Sequence, residues 1–99
     1  SPVTWAVFGM LRDKDIAGVV DAVRHRIDRW LPAELAGPRA ASAAELAAIL
    51  AGAGVPGPLP TFASPAAALA HARESANEGD RIVAFGSFLT VAAALAADR

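Results

Sequence analysis

The sequence predicts an α/β fold in which a mostly parallel sheet carries helices on both faces. Three observations predict it. Two short apolar runs, Val3 to Phe8 and Ile82 to Phe85, have the character of strands buried on both faces. Between them lie segments with helical periodicity and recognisable start and stop signals. The two kinds of element alternate: strand, helix, strand, helix, weak strand, helix, strand, helix. That order calls for crossover connections, and therefore for parallel strands. The architecture is three-layer and Rossmann-like.

The elements follow in order. Val3 to Phe8 is apolar apart from Thr4, and it stops at Gly9. Ile16, Val19, Val20, Val23 and Ile27 then recur at steps of three and four, which places them on one helical stripe. Asp13 and Asp15 precede that stripe, and Arg24, His25 and Arg26 end it, so charge complements the helix dipole at both ends. A helix over about 14–27 is expected. Trp30, Leu31 and Leu35 suit a strand, against which Pro32 argues. Gly37-Pro38-Arg39 is loop. Ser42-Ala43-Ala44-Glu45 is a capping box ahead of Leu46, Ile49 and Leu50, with Gly52 or Gly54 as the stop. Residues 52–60 form a short connector rich in glycine and proline. Thr61 to Ala63 is the weak strand. Ser64-Pro65 opens a third helix that runs to about Asn77 and is closed by Gly79. After Ile82 to Phe85, Gly86-Ser87 leads into an alanine-rich helix over about 88–97.

Bulk properties narrow the function. The 99 residues suffice for one domain. A chain of that size removes about 65% of its unfolded surface from water. Hydrophobic residues make up 55% and charged residues 19%, which excludes a disordered chain. Nine basic residues are scattered among ten acidic ones, for a net charge of −1, so the long-range field is weak and no nucleic-acid partner is expected. No apolar run approaches the ~20 residues of a membrane span, and no membrane partner or signal peptide is expected. The lack of cysteine excludes disulfides and thiolate metal sites and fits a cytoplasmic protein. With no tyrosine and two histidines, few side chains can exchange protons near neutral pH. Neither His25 nor His71 has a partner at metal-ligand spacing, so no metal site is expected.

Chemistry concentrates at two strand-to-helix turns, because ligands of open parallel sheets bind at the carboxyl ends of strands. The first is Gly9 to Asp15. Gly9 permits close approach of a backbone or ligand, the following helix start offers amides, and Lys14 supplies a flexible cation for a carboxylate or phosphate. The same residues also read as a cap, Asp13 or Asp15, beside a solvated Lys14. The second turn is Gly86-Ser87. The Ser87 hydroxyl either caps the last helix or, with nearby amides, holds a substrate carboxylate; one use does not exclude the other. Neither turn contains a nucleotide-phosphate loop motif. Arg39, beside a Gly-Pro loop, is the other basic residue of interest. Trp5 and Trp30 are expected in the core.

These same residues carry a family resemblance. Phe8-Gly9-Met10-Leu11-Arg12-Asp13-Lys14-Asp15-Ile16 resembles a strand-loop-helix signature in the C-terminal domain of bacterial folylpolyglutamate synthase/dihydrofolate synthases. Gly86-Ser87-Phe88-Leu89-Thr90-Val91 resembles that domain's last strand-to-helix turn. Gly37-Pro38-Arg39-Ala40 and Ser42-Ala43-Ala44-Glu45-Leu46 fit the loop and helix between them. The family is similar to the Mur ligases. The resemblance implies an ATP-dependent ligase of folate biosynthesis and polyglutamylation. A substrate carboxylate is activated as an acyl phosphate and attacked by the amino group of L-glutamate. ATP and magnesium would be held mainly by an N-terminal P-loop domain, over which this domain closes. It further implies Ser87, and then Lys14, as contacts to glutamate, with Gly9 and Gly86 supplying loop backbone. No catalytic or metal-binding residue is expected within residues 1–99.

The chain departs from the family in two large respects. The Asp-Gly-x-His-Asn-Pro motif that usually opens this domain is absent, and so is the whole ATP-binding domain. Residues 1–99 are therefore expected to be a C-terminal fragment truncated at its first strand, inactive alone, needing no cofactor of its own, and prone to self-association through an exposed sheet edge. The alternative is a stand-alone flavodoxin-like module that binds a small ligand or a protein.

Overall fold

The computed structural model describes residues 2–86. Its elements are β1 (Thr4–Gly9), α1 (Ile16–Val23), a 3₁₀ turn (Arg24–Arg26), β2 (Arg29–Pro32), α2 (Ala43–Gly52), α3 (Pro65–Ser75) and β3 (Arg81–Gly86). Ser87 and the helix expected over 88–97 lie outside the described residues.

The three strands form one parallel sheet in the order β2-β1-β3. Successive side chains of a strand point to opposite faces, so β1 supplies two cores at once. Phe8 meets Trp30 of β2, Ile16 and Val20 of α1, and Leu46 and Leu50 of α2. Val7 meets Leu31 of β2 and Ala68, Leu69 and Ala72 of α3. Helices thus cover both faces, with α1 and α2 on one and α3 on the other. Rings brace the first core: Trp30 and Phe85 each lie 5.2 Å, centroid to centroid, from Phe8 and 5.7 Å from each other. Such pairs contribute about 0.5–1.5 kcal/mol beyond area burial. In the second core, Ala68 and Ala72 are fully buried and end at Cβ, which lets α3 lie close to the sheet.

Three expectations need correction. The first helix is shorter than 14–27: Asp15 caps it, and its last turn tightens to 3₁₀ geometry at Arg24–Arg26. The third helix stops at Ser75. The weak strand at 61–63 is a single rung, in which Phe62 donates its N–H to the Pro32 carbonyl (3.0 Å) and accepts from the Glu34 N–H (3.0 Å). Pro60 before it and the Ser64 cap after it leave no length for more. That rung also explains how a strand tolerates Pro32. The Ala33 N–H donates to Phe8 on β1 (2.8 Å), so the alternating pattern turns the Pro32 nitrogen away from β1, where no ladder donor is required.

Two aspartates staple the amino ends of the strands. Asp28 accepts from the Thr4 N–H (2.8 Å) and its own N–H donates to the Thr4 carbonyl (3.0 Å), joining β2 to β1. Asp80 accepts from the Val3 N–H (3.0 Å), the Asn77 N–H (2.9 Å) and the Trp5 indole N–H (3.0 Å), joining β3 to β1. Those bonds, led by the one from Val3, hold the Asp80 carboxyl below its ordinary range.

Two measurements check this account. Leu46→Ala, at a fully buried site, lowers the unfolding free energy in urea by about 2–5 kcal/mol. Asp80, with a folded-state pKa below its unfolded value, contributes stability that is present above the unfolded value, about 3.9, and is lost as pH falls through the folded one. Urea midpoints followed from pH 7 to 2.5 therefore fall less steeply on the acid side in Asp80→Asn than in the unsubstituted protein, from a lower starting point at pH 7.

Candidate functional site

Both strand-end glycines lie on one rim. Gly9 and Gly86 are register partners at the carboxyl ends of β1 and β3. Gly86 has φ of +125°, and a Cβ there would overlap the Gly9 carbonyl oxygen. Only glycine permits both this backbone angle and this approach. At Gly86, which is exposed, the rim therefore carries main chain alone, with the buried Gly9 beside it.

The loop after β1 is built on the loop before α2. Leu11 and Ala40 form an antiparallel bridge; the Arg12 N–H donates to the Arg39 carbonyl (2.7 Å), and the Ala41 N–H donates to the Met10 carbonyl (3.0 Å). Side chains tie the same segments. Arg12 donates Nε and Nη2 to the two carboxylate oxygens of Glu45 (3.2 and 2.8 Å). Arg39 donates Nη2 to Asp13 (2.7 Å). Glu45 also completes the capping box with Ser42, so Arg12 grips the start of α2 through its own cap. The Arg12 fork first, and the Ser42 N–H second, pull the Glu45 carboxyl down to about 2. The Arg39 guanidinium likewise holds Asp13 below the usual carboxylate range. Both pairs are more than two-fifths exposed, so their role is to fix the loop's shape more than to stabilise the fold.

The residues singled out from sequence divide accordingly. Gly9 and Gly86 come together. Asp15, not Asp13, is the cap: its carboxylate accepts from the Gly18 N–H (3.1 Å), and a side chain at Gly18 would overlap it. The chain's own Asp15 carboxylate thus takes one of the amides at the start of α1. Arg39 is paired. Lys14 is exposed and makes no ion pair among the described residues. Ser87 lies outside the described residues. Trp30 is in the core as expected, whereas Trp5 is half-buried with its indole on Asp80. Sequence reasoning missed the Arg12–Glu45 grip, since no local pattern marks partners 33 positions apart. Among the described residues, no group of three or more histidines and carboxylates gathers to hold a metal ion.

Two substitutions test the rim. Gly86→Ala meets both strain and overlap and costs at least about 2 kcal/mol in urea unfolding. Gly37→Ala, with φ of +102° but open space around it, meets strain alone and costs about 1 kcal/mol. In Arg12→Gln, the Glu45 carboxyl, followed by NMR, titrates nearer its ordinary value of 4.5.

Comparison with known proteins gives this geometry its family. Residues 2–88 match the family model described as Mur ligase, glutamate ligase domain. The chain is 41% identical over 87 residues to the dihydrofolate synthase/folylpolyglutamate synthase of Escherichia coli K12, covering 88% of this chain and 19% of that protein. It is 40% identical, with a TM-score of 0.86, to the bifunctional folylpolyglutamate synthase/dihydrofolate synthase of Yersinia pestis complexed with AMPPNP and Mn ion; 97% of this chain and 22% of that one are covered. A structure of such a synthase with Mn, AMPPNP and L-glutamate bound is 38% identical at a TM-score of 0.82, over 97% of this chain and 22% of that one. E. coli FolC in complex with DHPP and ADP is 36% identical at 0.86, with the same coverage. The chain spans about a fifth of the length of these relatives. With residues 2–88 matching the family model and 41% identity over 87 residues to a curated relative, the chain belongs to the Mur ligase glutamate ligase domain family.

Proposed function

We propose that residues 1–99 are the C-terminal, glutamate-ligase part of a cytoplasmic ATP-dependent ligase that adds L-glutamate to dihydropteroate and folates. The observation that carries this reading is the in-register pairing of Gly9 with Gly86, which brings together at the carboxyl edge of the sheet one glycine from each of the two family signature segments. The relatives support it: one is bound to AMPPNP, Mn and L-glutamate, another to DHPP and ADP.

In this reading the rim presents glutamate. Its carboxylates are met by the Ser87 hydroxyl, by main chain near Gly86 and Gly9, and by Lys14, the loop cation left without a carboxylate partner among the described residues. The paired Arg12 and Arg39 keep the loop in shape and take no part in binding. ATP phosphorylates the folate carboxylate and leaves as ADP. The glutamate amine then attacks the acyl carbon, losing a proton as phosphate departs. Magnesium and most of the nucleotide fall to the rest of the longer protein, as the family resemblance implies; relatives are solved with AMPPNP and Mn bound. Neither nucleic acid nor membrane is a partner, and no helix among the described residues is long and apolar enough to cross one. The outer edge of β3, which pairs only with β1 among the described residues, gives the isolated chain a surface for self-association.

In the longer ligase, Ser87→Ala and Lys14→Ala each raise the KM for glutamate about tenfold while leaving the KM for ATP in place, the scale of one hydrogen bond to a charged group. Unchanged glutamate kinetics in both variants overturn the site assignment. Residues 1–99 alone show no glutamate-dependent ATP hydrolysis and sediment as a concentration-dependent mixture.

A further inference from the structure

We propose that the cavity at the outer edge of β2 binds a small, flat, neutral ligand carrying a hydrogen-bond donor beside an acceptor, as a lactam does, through the main chain of Trp30. The site stands apart from the glycine rim, which lies at the carboxyl ends of β1 and β3. The cavity measures about 570 Å³. Small-molecule sites typically occupy about 300–1,000 Å³.

A gap in the hydrogen-bond ladder carries the inference. The Ala33 N–H faces β1, so by alternation the Leu31 N–H does too, while Pro32 and Trp30 face outward. On the outer side, Phe62 bonds to Pro32 and Glu34. The next parallel rung toward the amino end would need an N–H from Pro60 for the Trp30 carbonyl, and one from Pro32 for the Pro60 carbonyl. Neither proline has an N–H, so the outer ladder stops after one rung. Before Trp30, the Asp28 carbonyl accepts from Arg29 Nη1 (3.3 Å) and the Asp28 N–H donates to the Thr4 carbonyl (3.0 Å). Between these two closed ends, the outward N–H and C=O of Trp30 meet no partner among the described residues. Trp30 is 3% exposed and lines the cavity. Buried main-chain donors and acceptors are seldom left unpaired. The opening is one residue long, too short to add a strand, and it matches a single donor–acceptor pair.

The rest of the wall suits a neutral, flat body. Its arginines are matched by carboxylates: Arg24 is ion-paired with Asp21 (3.5 Å), and Arg29 follows Asp28 and acts on the Asp80 carboxylate. Trp5 and His71 line the cavity on the α3 face of the sheet. The Trp5 indole is held by Asp80 and lies edge-on to the His71 ring at a centroid distance of 6.4 Å. Val55 and Leu59, which pack against the core on the α1–α2 face, line the other side. A ring lying along the strand edge has aromatic surface on one side and aliphatic surface on the other, with its donor and acceptor turned to Trp30.

The test titrates the protein with 2-quinolone, with N-methyl-2-quinolone, whose donor is blocked, and with N-acetyl-leucine N-methylamide, an extended peptide unit. NMR follows the Trp30, Gly54 and Leu59 amides and the Trp5 indole N–H, and hydrogen exchange is read at Trp30 and Leu31. In the free protein the Trp30 N–H exchanges faster than the Leu31 N–H. 2-Quinolone gives saturable shifts at these groups and, at saturation, slows Trp30 exchange. N-methyl-2-quinolone binds about tenfold more weakly, the scale of one hydrogen bond. His71→Ala weakens 2-quinolone about fivefold, the scale of one aromatic contact, with the amide spectrum away from the cavity unchanged. Leu59→Ala, outside every helix and strand, weakens it as well and serves if His71→Ala disturbs α3. Absence of saturable shifts at the cavity, equal binding of the N-methyl compound, tighter binding of the peptide unit, or a Trp30 N–H as protected as that of Leu31 in the free protein overturns the proposal.

Discussion

The close approach of two backbones at Gly9 and Gly86 is the constraint on which the rest of this structure depends. β1 and β3 stand first and last among the described elements, and their six-rung pairing sets the level at which both strands stop. Were Gly86 replaced by a bulkier residue, its Cβ would overlap the Gly9 carbonyl and the strand ends would splay. The loop that leaves β1 would then no longer start where Met10 and Leu11 can bond to Ala41 and Ala40. Everything at the carboxyl edge, from the capping box of α2 to the Arg12 grip, is hung from that meeting point.

The two poles of the sheet use charge differently. At the carboxyl edge, opposite charges pair across loops distant in sequence, which shapes the loop while leaving main chain exposed between its ends. At the amino edge, Asp28 and Asp80 accept from backbone amides of the first strand, turning carboxylates into extra rungs of the ladder. Hydrogen bonds to a charged acceptor are about twice as strong as neutral ones, which suits a sheet of few strands whose ladder is short.

Much of the fold is legible in the chain because its local signals agree with one another. The apolar run of β1, the Ser42 capping box and the Ser64-Pro65 start each name their element in a few residues, and the structure places all three as read. The legible part of the site is the pair of glycines, since a strand that halts at glycine is a local event. The rest was hidden for physical reasons. Whether Pro32 breaks a strand depends on which neighbour its nitrogen faces, a matter of sheet position. Whether Arg12, Arg39 or Lys14 is the loop's unpaired cation depends on carboxylates brought near by folding, and Glu45 and Asp13 took the two arginines. Trp5 looked like core, but its indole N–H needed an acceptor and found one in Asp80, 75 positions away.

The same long-range closure bears on how the chain is made. Val3 and Asp80 are bonded across 77 positions, and the central strand has no β3 neighbour until the ribosome has delivered nearly all of the described sequence. Until then Val7 and Phe8 have β2 on one flank only, and an apolar strand edge stays open throughout translation. Such non-local pairing is slow to form and leaves the nascent protein exposed to adhesion with its neighbours. The alanine-lined third helix, arriving just before the closing strand, is the element that would shield the Val7 face during that interval.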